Sequence, residues 1–385
     1  MAVDEASSLN PVLQPPLPLA VNSAAHCFDV QFHPRQPLLA AATITGAIEL
    51  HKFDADAGTS ELVRSLSSHK DSCRTARFLP AGDSADGSAV HIASASASCF
   101  TAVTDVESGK KLWKAKLAAG GNALLPLEPH RFVVGDDDGH IAVYDVRRKQ
   151  PAVEWAENED FITDFALGSD HLSLCATSGD GTLAVYDLRK AGTKGLIAMS
   201  DFQEDEFLSI TIVKDGSKVL CGSQTGILCI FSWGDFGDMN DRIRGHPMSV
   251  DAMVKLDEDC VLTGSSDGRI RVVSVFSNIH KNNIIGFLGE HGDSPMERLA
   301  LSPDKKLVVS ASHEQPAIRI WSTEDAYKLR SRKLRRGAPS VAEDDDSDSD
   351  DSDDEPQAKK RRKGKRRAPI ANAATSAAKN FFSGL

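Results

Sequence analysis

Residues 174–189 read Leu-Cys-Ala-Thr-Ser-Gly-Asp-Gly-Thr-Leu-Ala-Val-Tyr-Asp-Leu-Arg. A run of small residues leads into a tight turn at residues 179–181. The stretch that follows places Leu183 and Val185 on one side and ends at Tyr186 and Asp187, which is the alternation expected of a half-buried strand. The segment therefore predicts two antiparallel strands that are joined by a two-residue or three-residue turn.

The second half of this segment recurs along the chain. Clear copies start 42, 45 and 42 residues apart, and weaker ones complete a series of seven, starting at Gly46, Cys99, Gly139, Gly181, Gly226, Gly268 and Pro316. A further apolar segment precedes each copy, as at residues 27–34 and 296–303. Several short strands in each ~40–45 residues are typical of a β-propeller. We therefore predict an all-β fold, a seven-bladed propeller over residues 22–330.

Two segments could supply the outer strand of the last blade. Residues 327–334 are rich in Lys and Arg, whereas residues 12–21 contain three prolines, which disfavour strand pairing. We favour the N-terminal segment, so that residues 1–21 form an extension that supplies a ring-closing strand. No long stretch shows helical periodicity, and residues 331–385 are predicted to be a disordered tail.

The repeats resemble the WD-repeat family. The positions that match its motif are the pairs Tyr144–Asp145, Tyr186–Asp187 and Trp321–Ser322, the histidines His69, His246 and His291, and the turn aspartates Asp138, Asp180 and Asp267. The resemblance implies buried hydrogen-bond networks, namely His246, Ser265 and Asp267 in blade six and His291, Ser312 and Trp321 in blade seven. Because such residues recur once per repeat, we interpret them as a requirement of the fold and not as a catalytic site.

The charge of the chain is divided between two parts. The formal net charge is −11, made up of −16 in residues 1–325 and +5 in residues 326–385. An acidic body repels phosphate backbones, so we expect any RNA contact to come from the tail. No apolar run reaches the length of a membrane helix, and the N-terminus lacks the layout of a signal peptide. The seven cysteines form no CxxC pair and are expected to be reduced and buried.

The sequence contains no motif that indicates catalysis. It has no phosphate-binding loop, no HExxH and no nucleophile elbow. Residues 136–139, Asp-Asp-Asp-Gly, lie at a blade turn and lack the later Glu of a calcium loop. We therefore expect a non-enzymatic protein with no cofactor and no bound metal.

The predicted tail combines an acidic and a basic block. Residues 343–355 hold ten acids and three serines, and Ser347 and Ser352 are candidate phosphorylation sites because an acid follows each three residues later. The basic block comprises Lys359, Lys360, Arg361, Arg362, Lys363, Lys365, Arg366 and Arg367. Such a block indicates nuclear import or RNA contact, and the alternation of charge suits the nucleolus.

The chain ends with apolar residues that have no neighbouring core. Phe381, Phe382 and Leu385 are expected to dock in a groove of a partner, and the alternative is that they fold back on the propeller. Together with the propeller and the two charged blocks, they resemble the WD-repeat-containing protein 55 family. The resemblance implies a nucleolar scaffold that acts with pre-ribosomal assembly factors in ribosomal RNA processing and large-subunit biogenesis.

A second resemblance gives an alternative function. Residues 174–189 are similar to the sixteen-residue box of substrate receptors of cullin-4 RING ubiquitin ligases, although Cys175 departs from it. The resemblance implies that Asp187 and Arg189 contact the adaptor of the ligase. Asp145 and Arg147 repeat the Asp-x-Arg ending in blade three, behind a small-residue run that Val134 and Asp136 interrupt.

Overall fold

The fold consists of seven antiparallel sheets of four strands each, arranged as a seven-bladed β-propeller. A computed structural model describes residues 18–80, 91–275, 283–292, 294–312 and 314–337. The strands of the first half are β1 (Leu19–Asn22), β2 (Cys27–Phe32), β3 (Leu38–Thr43), β4 (Ala47–Asp54), β5 (Thr59–Ser67), β6 (Cys73–Phe78), β7 (His91–Ser96), β8 (Phe100–Asp105), β9 (Lys111–Lys116), β10 (Gly121–Glu128), β11 (Arg131–Asp136), β12 (Ile141–Asp145) and β13 (Val153–Trp155).

The second half continues the same order, with a 3-10 turn at Gly192–Gly195 and one helix at the end. Its elements are β14 (Ile162–Leu167), β15 (Ser173–Ser178), β16 (Leu183–Asp187), β17 (Leu196–Met199), β18 (Phe207–Val213), β19 (Lys218–Ser223), β20 (Leu228–Ser232), β21 (Asp241–Ile243), β22 (Val250–Asp257), β23 (Cys260–Ser265), β24 (Arg269–Ser274), β25 (Ile284–Glu290), β26 (Arg298–Leu301), β27 (Leu307–Ala311), β28 (Ala317–Ser322) and α1 (Glu324–Gly337). Blade one is β2 to β5, and blades two to six each take the next four strands.

The ring closes with a strand from the N-terminal side. Blade seven consists of β26, β27, β28 and β1, and β1 pairs antiparallel with β28 so that Leu19 lies opposite Ile320 and Asn22 opposite Ala317. Of the two segments that the sequence leaves open, the structure therefore uses the N-terminal one. The inner strand β26 of blade seven also contacts β2 of blade one, so the two ends of the propeller meet.

A glycine with positive φ occupies the turn between the second and third strand of five blades. Gly46, Gly139, Gly181, Gly226 and Gly268 have φ between 76° and 84°, where side chains other than glycine are strained. A Cβ atom at any of these positions would lie 2.3–2.5 Å from a carbonyl oxygen of the loop that enters the next blade. The repeated Gly therefore allows each turn to pack directly against that loop, which explains its recurrence in the sequence.

The core lies between neighbouring blades. One cluster combines Leu183 and Val185 of blade four with Phe207 and Phe231 of blade five, all of them buried. Each four-stranded sheet carries apolar residues on both faces, so one face packs against the preceding blade and the other against the next blade. Because every blade shares its core with the next, the repeats stabilise one another around the ring.

The prediction that the chain has no long helix is wrong. Helix α1 begins after Ser322, whose hydroxyl accepts a hydrogen bond from the Glu324 amide at 3.2 Å. Its Ala326 is buried against blade six, and Arg330 Nε lies 2.7 Å from Asp257 Oδ2. The helix was missed because its few apolar residues are outnumbered by Lys and Arg. It also extends past residue 331, where the sequence predicted a disordered tail.

Other predictions from composition concern thiols and membranes. All seven cysteines are free, and six of them are buried. Burial raises the pKa of the Cys175 thiol to about 12, so this thiol is unreactive at neutral pH. Over residues 18–337, apart from the gaps given above, no helix is long and apolar enough to span a membrane.

Candidate interaction surfaces

The recurring histidines form buried hydrogen bonds within the blades. His69 Nε2 lies 2.8 Å from Ser94 Oγ, and His246 Nε2 lies 2.9 Å from Thr263 Oγ1. In blade four an asparagine takes this place, where Asn158 accepts a hydrogen bond from the Tyr186 hydroxyl at 2.7 Å. Burial lowers the pKa of both histidines to about 4, so the imidazoles are neutral at pH 7. These contacts support the interpretation that the histidines serve the fold.

The partners of two histidines differ from the sequence prediction. In blade seven His291 bonds to Ser310 and not to Ser312, and Trp321 Nε1 donates to the same Ser310 hydroxyl at 2.7 Å. In blade six the partner of His246 is Thr263, two residues before Ser265. Residues two apart lie on the same face of a strand, so the face was predicted correctly while the position along the strand was wrong.

The turn aspartates also play different roles from one blade to another. Asp180 accepts hydrogen bonds from Thr182 within its turn and from the Glu159 amide of the preceding loop. Asp267 forms an ion pair with Arg271, whereas His246 Nε2 is hydrogen-bonded to Thr263. In blade three Asp138 is exposed, and the buried Asp136 accepts the turn's amide hydrogen bonds.

The two Asp-x-Arg endings have the same geometry in neighbouring blades. In each, the arginine Nε donates to Oδ1 of its aspartate at 2.8 Å, and the backbone amide of the arginine donates to the same oxygen at 3.0 Å. Asp145 and Asp187 are buried, whereas the side chains of Arg147 and Arg189 are 64% and 63% exposed. Each aspartate therefore fixes the orientation of an exposed guanidinium.

The electrostatics of these two forks follow from their hydrogen bonds. The side-chain hydrogen bond from Arg147 lowers the pKa of the Asp145 carboxyl to about 2, and that from Arg189 lowers the pKa of Asp187 further. Both aspartates end the third strand of a blade. The third strand of a blade runs parallel to its inner strand, because both pair antiparallel with the second strand. The forks at the end of the third strand therefore lie on the side of the ring where the inner strands end.

The tail residues singled out from the sequence lie outside the described residues. These are the phosphorylation candidates Ser347 and Ser352, the basic residues at positions 359–367, and Phe381, Phe382 and Leu385. Their roles in kinase recognition, nuclear import, RNA contact and partner docking stay predictions. The structure likewise leaves the choice between partner docking and folding back untested.

A cavity of about 570 Å³ opens at the end of the central channel where the inner strands begin. Six inner strands contribute their second residue to its rim, and blade seven contributes Glu297, which directly precedes β26. We call this rim the channel mouth, and it comprises Phe28, Arg74, Asn122, Thr163, Leu208, Asp251 and Glu297. In blades one to six this position is a β-bulge, where the register skips one residue. A bulge turns its side chain out of the regular alternation, and here that direction is the channel.

The charges of the channel mouth are unevenly distributed. Arg74 Nη1 lies 2.6 Å from Asp137, so its charge is compensated locally. Asp251 accepts a hydrogen bond from Ser249 at 2.9 Å, yet burial raises the pKa of its carboxyl to about 6, and the charge of Glu297 adds to this rise. Asp251 and Glu297 belong to adjacent blades six and seven, and Arg298 lines the same cavity and lowers the pKa of Asp251.

Sequence reasoning missed the channel mouth. Its residues share no chemical type, and the bulges interrupt the period-two pattern by which strands are recognised. The signal that was available is positional, because in blades one to six each residue follows the first residue of an inner strand, as Phe28 follows Cys27 and Leu208 follows Phe207. Across the described residues, no group of three or more His, Cys, Asp or Glu has the arrangement of a metal site.

The ring of seven blades and its recurring His–Ser/Thr and aromatic–Asp positions define the chain as a WD-repeat propeller. A family model described as WDR55 matches residues 18–326. WD repeat-containing protein 55 of Arabidopsis thaliana is 38% identical over 332 residues, which cover 85% of this chain and 88% of the relative. The human protein of the same name is 32% identical over 292 residues, covering 75% and 72%. The chain therefore belongs to the WDR55 family.

Family and fold together describe a scaffold-type protein. A homologue of WD repeat-containing protein 55 from Dictyostelium discoideum is 33% identical over 303 residues, covering 78% of this chain and 69% of the relative. None of these relatives carries the name of an enzyme. WD-repeat propellers typically present binding surfaces and carry no catalytic residues of their own.

Proposed function

We propose that this protein is a non-enzymatic scaffold in the nucleus and nucleolus that supports ribosomal RNA processing and biogenesis of the large ribosomal subunit. The observation that carries the proposal is the match to the WDR55 family over residues 18–326. The basic block at residues 359–367 supports nuclear import and gives a means of RNA contact. Pre-ribosomal assembly factors are the partners that we expect.

The division of charge supports separate roles for the two parts of the chain. Residues 1–325 carry a net charge of −16, which opposes direct binding of RNA by the propeller. The propeller is therefore suited to protein partners, and the basic block to import and RNA. Phosphorylation of Ser347 or Ser352 would add negative charge beside the basic block and weaken such an RNA contact.

The proposal can be tested by purifying the tagged full-length protein from cells. Pre-ribosomal assembly factors should co-purify, and depletion of the protein should cause precursors of large-subunit RNA to accumulate. Replacement of the eight basic residues at positions 359–367 by Ala should abolish the nucleolar signal of a fluorescent fusion. As a control, the nearby Lys379→Ala should leave that signal unchanged. Normal precursor levels after depletion, with no assembly factor enriched, would contradict the proposal.

A second function is favoured by one specific observation, the identical forks of Asp145–Arg147 and Asp187–Arg189. Their exposed guanidiniums lie on adjacent blades on one side of the ring, as a flat adaptor surface would require. We propose as the alternative that these two arginines recruit the adaptor of a cullin-4 RING ubiquitin ligase, with the protein acting as a substrate receptor.

This alternative is tested with the double variant Arg147→Ala/Arg189→Ala. If the forks bind the adaptor, the variant should lose the adaptor and cullin-4 in co-purification while retaining pre-ribosomal factors. Arg148 is exposed and adjacent to Arg147, so Arg148→Ala is a matched control that should retain both. Equal recovery of the adaptor with the wild type and the double variant would show that the forks do not recruit the ligase.

A further inference from the structure

The outer strands of blades one and six have the same irregularity at the same place. The register between β24 and β25 skips Ile285, and the register between β4 and β5 skips Val63. Each is therefore the extra residue of a β-bulge, and Gly286 and Arg64 directly follow the two bulges. Because a bulge turns its side chain out of the regular alternation, both outer strands present an apolar residue at the perimeter of the ring.

In blade six, helix α1 covers this bulge. Ile285 of the strand and Tyr327 and Leu329 of the helix are partly buried against the same core cluster. A Cβ atom on Gly286 would lie 2.5 Å from Leu329 Cδ1, so the helix and the strand are in close contact. The chain itself thus shows that a bulged outer strand of this propeller accepts one face of an amphipathic helix.

The corresponding place between blades one and two holds a cavity of about 450 Å³ within the part of the chain that the structure describes. Its apolar lining consists of Pro37, Leu38, Leu50, Val63 and Val106, and we call it the outer groove. Val63 is 55% exposed. Val106 directly follows the third strand of blade two, just as α1 begins two residues after the third strand of blade seven. The outer groove therefore lies where α1 lies in the other pair of blades.

Large side chains occupy the equivalent place in other pairs of blades. Between blades two and three, the rings of Trp113 and Tyr144 are 5.5 Å apart, and Trp113 Nε1 donates to the Arg148 carbonyl at 2.9 Å. Between blades three and four, Trp155 Nε1 donates to the Lys190 carbonyl at 3.0 Å. Strand β5 contains no aromatic residue. The outer groove is therefore not a general consequence of the propeller.

Charge distinguishes the outer groove from the place that α1 covers. Arg330 of α1 forms ion pairs with Asp257 and Asp259, which belong to the turn before β23. The corresponding turn of blade one, before β3, carries the exposed Arg35 instead. In addition, the exposed Arg64 lines the outer groove. The charges that meet a helix are thus inverted between the two places, so the outer groove fits an acidic helix and α1 is basic.

Acidic residues also lie near these cations. Glu107 lines the outer groove together with Lys52, which lies opposite Glu61 on the neighbouring strand. Arg64 lowers the pKa of Asp105, whose carboxylate accepts hydrogen bonds from the amide and the hydroxyl of Ser108. A carboxylate of a ligand would therefore join Asp105 in the field of Arg64. Apolar contact is expected to supply most of the affinity, and the charge to supply selectivity.

We propose that the outer groove binds an amphipathic helix of a partner protein, with apolar residues on Leu50, Val63 and Val106 and with an acidic residue beside Arg64. The proposal goes beyond the nucleolar function, since it stands whichever assembly supplies the helix. The groove is also separate from the Asp-x-Arg forks, which belong to blades three and four.

The test is selection by the intact full-length protein from a displayed library of random 14-residue peptides. Enriched peptides should carry apolar residues three and four positions apart together with an Asp or Glu. For a synthetic copy of an enriched peptide, Val63→Ser and Arg64→Glu should each weaken the affinity by about fivefold or more. Replacing the acidic residue of the peptide by Lys should restore the affinity for the Arg64→Glu variant. A proline in the middle of the peptide should abolish binding, because it breaks a helix.

Matched controls separate the outer groove from the perimeter in general. Ile197 is the extra residue of the equivalent bulge in blade four and is 54% exposed. Arg242 is exposed on the outer strand of blade five. Ile197→Ser and Arg242→Glu should each leave the affinity within about twofold of the wild type. Thermal unfolding of every variant checks that the propeller is intact.

Four outcomes would overturn the proposal. The selection would yield no enriched peptides, or the control variants would weaken binding as much as the groove variants. The peptide would keep its affinity when it contains proline, which would assign the edge of β5 to an extended strand. A single-stranded RNA probe would compete with the peptide on the wild type but not bind Arg64→Glu, which would assign the groove to nucleic acid. Finally, the full-length protein would self-associate through the groove and Val63→Ser would prevent it, which would assign the groove to a second copy.

Discussion

The blade turns and the channel mouth are both built from one position per blade, but they differ in what occupies that position. In the turns, five blades use a glycine whose Cβ would collide with a carbonyl oxygen at 2.3–2.5 Å. At the channel mouth, adjacent blades place residues as unlike as Phe28 and Arg74 at equivalent bulges. Repetition thus marks the positions that build the ring, whereas the fold accepts unlike residues at the channel mouth.

The largest expected effect is at a blade turn. Gly181→Ala should lower the free energy of unfolding by about 3 kcal/mol, because a positive φ of 77° and a contact of 2.3 Å with the Gln203 carbonyl both oppose a side chain. Gly192 also has positive φ, but nothing lies within 4 Å of a Cβ built on it. Gly192→Ala should therefore cost only about 1 kcal/mol. Equal losses in chemical denaturation would mean that the packed turn contributes nothing beyond its backbone conformation.

The next effect concerns the recurring histidines and pH. Burial lowers the pKa of His69, His246 and His291 to about 4, from 6.5. Between these pH values the unfolded chain binds more protons than the folded one. Stability should therefore be complete above pH 6.5 and fall toward pH 4, by on the order of 1–3 kcal/mol per histidine.

A triple replacement tests this pH dependence. Asparagine occupies the corresponding place in blade four as Asn158, so His69→Asn/His246→Asn/His291→Asn keeps a hydrogen-bonding group and removes the titration. The unfolding temperature of this variant should depend less steeply on pH between 6.5 and 4. An unchanged pH dependence would show that other groups cause the acid sensitivity.

At Asp251 of the channel mouth, the dependence of stability on pH has the opposite sign to that of the histidines. The pKa of Asp251 is raised to about 6 from 3.8, so the folded state holds this proton more tightly and the ionised carboxylate destabilises the propeller. Asp251→Asn should stabilise the protein at neutral pH by on the order of 1–3 kcal/mol. The gain should shrink as the pH falls through 6 and vanish below about 4. Destabilisation at neutral pH would mean that Asp251 is needed for the fold.

The smallest effect is expected at the Asp-x-Arg forks. Arg147 and Arg189 are almost two-thirds exposed, and their replacement by Ala leaves the backbone hydrogen bonds to Asp145 and Asp187 in place. Each substitution should change the free energy of unfolding by about 0.5 kcal/mol or less. A loss of several kcal/mol for either arginine would assign the forks to the fold and remove the argument that they serve an adaptor.

The fold was predictable from the sequence because its decisive features are local and repeated. The glycine turns and apolar strands recur every 42–45 residues. Around Gly139 and Gly181, the sequence predicts two antiparallel strands and the turn between them. Helix α1 was not predictable, since its stability comes from Ala326 and Arg330 packing on blade six, which is a tertiary effect.

The candidate sites were predictable only in part. The forks were found because Asp and Arg stand two residues apart in the sequence, so the contact is local. The channel mouth brings together residues such as Phe28 and Glu297 from opposite ends of the propeller, and no local pattern connects them. The observed partners Thr263 and Ser310 lie two residues before the predicted Ser265 and Ser312. The prediction missed them because alternation defines the face of a strand but not the position along it.

The most direct test compares the unfolding temperatures of two variants of the full-length protein at neutral pH, Asp251→Asn/Glu297→Gln and His246→Ala. We predict that the first retains or raises the unfolding temperature, because burial of the Asp251 carboxylate disfavours its ionised form. The second should unfold at a lower temperature, because Thr263 loses its buried partner. If the channel-mouth variant unfolds at a lower temperature, or if His246→Ala unfolds like the wild type, the separation between the positions that build the ring and the positions of the channel mouth is wrong.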